Sequence, residues 1–159
     1  MADTKVENKL RLTKVDVYAG HIVCIVQFAP TGLKHTTPKL MSTVLKNYPN
    51  LPKHACVNGS SNTFCGVMNS TPLPHLLEHI IVDAQVHQKQ QRYGENAGNC
   101  VSQCSEMSQS TIVGTSEWLD ESAGIARIDV SFHDDLQALS ALNEAVYFLN
   151  DALAGSSKS

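Results

Sequence analysis

Residues 9–30 read KLRLTKVDVYAGHIVCIVQFAP, and this stretch decides the fold class. Leu10, Leu12, Val15 and Val17 roughly alternate with polar residues, Ala19-Gly20 interrupts the run, and a dense β-branched segment follows from Ile22 to Phe28. That pattern predicts a hairpin whose second strand is the more buried of the two. A second pair of strand-like runs, Ile112 to Leu119 and Ala123 to Phe132, is joined across Asp120-Glu121-Ser122. Each pair is followed by a helical pattern.

After the first pair, Thr36-Thr37-Pro38 opens a short amphipathic helix with Leu40, Met41, Val44 and Leu45 on one stripe, ended by Pro49 and Pro52. Ser70-Thr71-Pro72 supplies a cap and a proline for a stronger helix, in which Leu73, Leu76, Leu77, Ile80, Ile81 and Ala84 form one stripe. Gln85 to Arg92 should carry that helix into solvent. The last helix runs from about Asp134 to Leu153, with Leu136, Leu139, Leu142, Val146, Leu149 and Leu153 as its stripe and Asp134 and Asp135 at its positive end. The order ββα-α-ββα predicts a small α+β two-layer sandwich, an antiparallel sheet with helices on one face. Its expected extent is 9–153, between a flexible N-terminus (1–8) and a disordered tail (154–159). Residues 93–110, rich in Gly, Asn, Ser and Gln, read as a long loop.

The chain has 159 residues, 42% apolar and 17% charged, with a formal net charge of −3. Those figures exclude a disordered chain and leave no basic footprint for nucleic acid. No apolar run is long enough for a membrane span, and Met1 to Lys9 lacks the apolar core of a secretory signal. Five cysteines, at 24, 56, 65, 100 and 104, are an odd number and fit reduced thiols. Cys24 reads as a buried hydrophobe and the Cys100/Cys104 pair as two free thiols in a loop. A cytoplasmic protein binding neither nucleic acid nor membrane is the expectation.

Chemistry enters at His75-Leu-Leu-Glu78-His79, an H-x-x-E-H pattern inside the strongest helix. Histidines four apart on a helix point the same way, about 5–6 Å apart at Cβ, close enough to share a zinc ion. Glu78 stands beside them, placed to take a proton from a water that the ion activates. The bland alternative is a pair of surface histidines beside a solvated glutamate. Against it, His75 and His79 share their helix face with Val82 and Val86, which a purely solvated face would seldom carry. That face is expected to meet a loop or the same face of a second copy. A third ligand is required. His133 is the first candidate, with Asp134, Asp135 and Glu144 behind it. Asp83 lies about 12 Å along the helix from His75, too far to share the ion, and is assigned a hydrogen bond to the outer nitrogen of His79.

With these residues in view, residues 50–85, NLPKHACVNGSSNTFCGVMNSTPLPHLLEHIIVDAQ, resemble the N-terminal domain of cyanophycin synthetase. His54, Cys56, Gly59, Thr71, His75, Glu78, His79 and Gln85 match that domain's pattern, and Val130-Ser-Phe-His-Asp-Asp with Ala138-Leu139-x-Ala141 resembles its end. Pro74 stands where the family has Gly, His133 departs from its carboxylate-rich turn, and no stretch of these 159 residues resembles the family's ATP-grasp and ligase domains, so a synthetase is not expected. The resemblance implies zinc on His75 and His79, Glu78 as general base, and cleavage of an Asp-Arg polymer. Three functions follow as alternatives: a zinc-dependent hydrolase of an amide or isopeptide bond in a peptide or polyamide; a non-catalytic docking module with a vestigial or structural metal site; and a metal-free homo-oligomer formed through the Val82/Val86 face.

Overall fold

The computed structural model describes residues 8–57, 61–94 and 111–156. The element order is β1 (Leu10–Tyr18), β2 (His21–Phe28), α1 (Pro38–Asn47), α2 (Leu73–Gly94), β3 (Gly114–Asp120), β4 (Ile125–Ser131) and α3 (Asp135–Ser156), with short 3-10 turns at Leu51–Lys53 and Phe64–Gly66. The four strands form one antiparallel sheet in the order β1-β2-β4-β3. Helices α2 and α3 pack on the sheet and on each other, and α1 packs on α3. This is the α+β two-layer sandwich that the alternation of strand and helix patterns predicts.

The first hairpin turns at Ala19-Gly20, where Gly20 takes a positive φ of 83° that a side chain would strain. The three-residue step from Leu12 to Val15 marks a register shift between Leu12 and Lys14. The shift keeps Val15 opposite Cys24 on the helix-facing side, while Val17, beyond it, is half exposed. Central strands β2 and β4 give that side Ile22, Cys24, Val26, Phe28, Ala126, Ile128 and Val130, all buried. Burial pushes the Cys24 thiol pKa up to about 12, so it is an inert core group.

Thr37 caps α1, its hydroxyl accepting from the Leu40 amide at 3.2 Å. The structure differs from expectation at four places. Helix α2 starts at Leu73, so Pro72 precedes it; Leu73 donates its amide to the Lys34 carbonyl at 2.9 Å, and Pro74 has no amide to satisfy. Gln85 does not reach solvent: it is 2% exposed, donates to the Ser131 carbonyl at 3.3 Å, and its own carbonyl accepts from Gln137 at 3.1 Å. In α3 the buried stripe is Ala138, Ala141, Leu142, Ala145, Leu149, Ala152 and Leu153, whereas Leu136 is 72% exposed. Alanines let α3 lie close to its neighbours, which turns the helix away from an all-leucine stripe. Helix α3 also continues through 154–156, which the tail reading takes as disordered.

Candidate metal centre

The first half of α2 is covered on nearly every side. Leucines and isoleucines of its main stripe meet the sheet and α3, and the opposite side meets residues from 51–57 and 61–64. Leu51 and Phe64 are fully buried anchors there. Between them, Phe64 donates its amide to the His54 carbonyl at 2.9 Å and Cys56 donates to the Asn62 carbonyl at 3.1 Å. The Phe64 ring lies 4.2 Å from the His79 ring, centroid to centroid. These contacts bring His54 and Cys56 down onto the histidine face of α2.

Three ligand-type atoms converge there. Cys56, His75 and His79 each place one such atom within 4.8 Å of the others. The Cys56 Sγ to His75 Nε2 separation is 3.4 Å, and the two Nε2 atoms stand 3.1 Å apart. Two imidazole nitrogens and a thiolate on one tetrahedral zinc stand about 3.3 and about 3.5 Å apart, given bonds of about 2.0–2.1 and about 2.3 Å. Two of the three separations match one ion of that kind and the third lies within 4.8 Å, so the donor set suits such an ion.

Their partners set the protonation this requires. Asp83 is 2% exposed, and its Oδ1 is 2.9 Å from His54 Nε2. A carboxylate only accepts, so a neutral His54 donates Nε2–H to it and offers Nδ1 as an acceptor. His79 Nδ1, 3.2 Å away, donates to that atom and leaves its Nε2 lone pair facing His75 and Cys56. On the other ring, Thr71 Oγ1 is 2.7 Å from His75 Nδ1 and can accept a hydrogen bond from its N–H, leaving the His75 Nε2 lone pair free. The Thr71 hydroxyl thus serves the histidine and does not cap the helix. Burial, with the neighbouring His75 and His54 rings adding to it, lowers the His79 pKa to about 3; burial also lowers that of His75. Both rings are neutral at pH 7, as metal ligands must be.

Glu78 lies beside this cluster and is 7% exposed. Burial raises its pKa, opposed by a 2.8 Å hydrogen bond that its Oε2 accepts from the Ser116 hydroxyl. The sheet comes close enough for that bond because residue 114 is glycine: a Cβ there would stand 2.6 Å from Glu78 Cγ and 2.9 Å from its Oε1. His54, Cys56, His75, Glu78 and His79 line one cavity of about 1220 Å³, together with Val82, Val86 and residues 111–118.

Of the residues expected from the sequence, His75, Glu78 and His79 come together as the H-x-x-E-H spacing requires. His133 is exposed and lines the same cavity, outside the three-residue cluster. Asp134 accepts from the Gln137 amide at 2.8 Å as the cap of α3, and Asp135 accepts from the Leu136 amide. Glu144 accepts from Tyr48 at 3.3 Å and Gln88 at 3.1 Å. Asp83 supports His79 through His54 and not directly; its Oδ2 lies 2.8 Å from His87 Nδ1, whose hydrogen-bond partner is the Asp83 backbone carbonyl at 3.1 Å. Val82 and Val86 line the cavity. Spacing arguments miss Cys56, His54 and Ser116, each from another element; the only sequence signal was the His-x-Cys pair quoted in the resemblance. Cys24 and Cys65 are free thiols, whereas Cys100, Cys104, the Asn58-Gly59 turn and nearly all of the 93–110 loop lie outside the described residues. No described helix is long and apolar enough to cross a membrane. Comparison with known proteins returns no matching family model, no matching curated protein and no matching solved structure.

Proposed function

We propose that this protein is a zinc-dependent hydrolase of an amide or isopeptide bond, with Cys56, His75 and His79 as ligands and Glu78 as general base. The observation that carries the reading is the convergence of three ligand atoms beside a buried carboxylate on the wall of one cavity. A thiolate with two imidazoles favours zinc among the common divalent ions, and three protein ligands leave a fourth position open. When bound, zinc supplies Lewis-acid polarisation of a carbonyl and lowers the pKa of water toward 7. The chain's own residues do the rest. Asp83 and His54 hold the His79 ring in one tautomer, Thr71 holds His75, and Ser116 orients Glu78. Its raised pKa brings the Glu78 carboxylate nearer the working pH, where a base takes a proton from water and returns it to a leaving amine most effectively. The resemblance to the cyanophycin synthetase domain supplies the first substrate to try, a short aspartate peptide carrying arginine on its side chains.

A second reading rests on the same distances. Cys56 Sγ at 3.4 Å from His75 Nε2, with His75 Nδ1 at 2.7 Å from Thr71, is also the order of nucleophile, base and orienting group in a cysteine hydrolase. One assay separates them. The zinc reading expects cleavage to stop with a chelator and return with zinc. Cleavage that survives the chelator but stops on alkylation belongs to the cysteine reading, and bound zinc with no cleaved peptide or polyamide belongs to the docking module.

A further inference from the structure

Strand β3 is an edge of the sheet, and its pairing with β4 fixes which way its main chain faces. Ser131 donates its amide to the Val113 carbonyl at 2.8 Å, and Gly114 stands opposite Val130 in register. Residues 113, 115 and 117 therefore turn their amides and carbonyls toward β4. Those of Gly114, Ser116 and Trp118 turn the other way, where no strand among the described residues pairs with them. The same three residues line the cavity that holds Glu78 and the Cys56/His75/His79 cluster. Gly114 brings this outward-facing main chain against Glu78, since any Cβ would collide with it. Natural edges are usually blunted by proline, lysine or a bulge; β3 has its irregularity only at Trp118–Asp120, beyond the half that faces the site. Across the cavity stand Val82 and Val86 of α2, an apolar wall.

We propose that the cavity takes an extended polypeptide, bound as an added strand along β3. Its main chain pairs with the amides and carbonyls of Gly114, Ser116 and Trp118, and alternate side chains turn toward Val82 and Val86. This names the substrate class of the hydrolase site and rests on that reading. Main-chain pairing gives affinity for any extended chain, and the valines meet every second side chain, whether an apolar one or the aliphatic stem of an arginine-bearing one. The strand that binds the peptide is the strand that orients Glu78, so a docked chain lies beside the base.

The test uses zinc-loaded full-length protein and a mixed library of acetylated, amidated heptapeptides. Retained peptides are resynthesised with one main-chain amide N-methylated at a time. Methylation at alternate positions should weaken binding about five- to tenfold, the worth of one main-chain hydrogen bond, and the positions between should change little. Exchange of the Gly114, Ser116 and Trp118 amides should slow at least as much when peptide binds. The proposal is overturned by a library with no retained peptide, by binders that N-methylation weakens evenly or not at all, or by unchanged exchange at those amides. It is also overturned by a dimer in which β3 is protected before any peptide is added. Alternating N-methyl effects without cleavage keep the strand docking and remove the hydrolase, whereas cleavage without alternation does the reverse.

Discussion

Glu78 separates an enzyme from a docking module at the scale of one residue. Glutamine keeps its shape and still accepts from Ser116, but it cannot take a proton. Glu78→Gln should leave zinc content and the melting temperature near those of the parent and lower turnover by about 10²–10⁴-fold, as steady-state kinetics on a cleaved peptide would show. Equal activity in the variant would remove Glu78 from the chemistry. Asp83 tests the other half of the site, because it acts only through His54. Asp83→Asn can present an amide donor to His54 Nε2 and reverse the tautomer chain, so competition with a chromogenic chelator should show zinc bound about 10–100-fold more weakly. Unchanged affinity would mean that His79 does not depend on this relay. The residues named here differ in how visible they are before folding. His75, Glu78 and His79 are legible because one helix sets their spacing. Cys56, His54 and Ser116 reach the site from a loop and a strand, and no local periodicity connects those to α2.

Elements were legible wherever one face is apolar and the other polar. β2, β4 and α1 follow their patterns, and the Thr37 cap stands where Thr-Pro places it. The end of α2 and the stripe of α3 were not. Gln85 looks like solvated surface until the Ser131 carbonyl and the Gln137 amide meet it, a pairing made by residues 46 and 52 positions away. In α3 a count of leucines overrates Leu136 and underrates the alanines, since a close-packed helix pair buries small residues as fully as large ones. Two substitutions check this reading of α3. Leu149→Ala should cost about 2–5 kcal/mol in denaturant unfolding, whereas Leu136→Ala, on the exposed side, should fall within about 0.5 kcal/mol of the parent. A large loss at Leu136 would place the buried face elsewhere.

For the whole molecule, the site makes stability depend on pH. His79, with its pKa lowered from 6.5 to about 3, and His75, lowered in the same direction, are neutral in the folded metal-free protein, while the unfolded chain takes up protons below about pH 6.5. Their contribution is complete above that value and is lost as pH falls toward the folded pKa, by at most about 1.4 kcal/mol per pH unit for each ring. Glu78 has the opposite sign: with its folded pKa raised above 4.5, the stability it contributes is present at low pH and lost as pH rises through the folded value. Chelator-treated protein should therefore melt at a falling temperature from pH 7 to 5, and His79→Gln should flatten that slope. A parent slope no steeper than that of the variant would contradict a buried, neutral His79. The α+β plan was readable from pattern alone, but the site depends on contacts of His54, Cys56 and Phe64 with α2, and of β3 with α2, that no single stretch of sequence contains.

Zinc content decides the account most directly. Full-length protein purified without chelators, measured by elemental analysis beside Cys56→Ser and the His75→Ala/His79→Ala double variant, should carry about one zinc per chain. The double variant should carry none, and Cys56→Ser should hold zinc far more weakly than the parent while circular dichroism shows all three folded. A parent protein that contains no zinc and takes up none on titration would contradict the account, as would a parent whose zinc survives in the folded double variant.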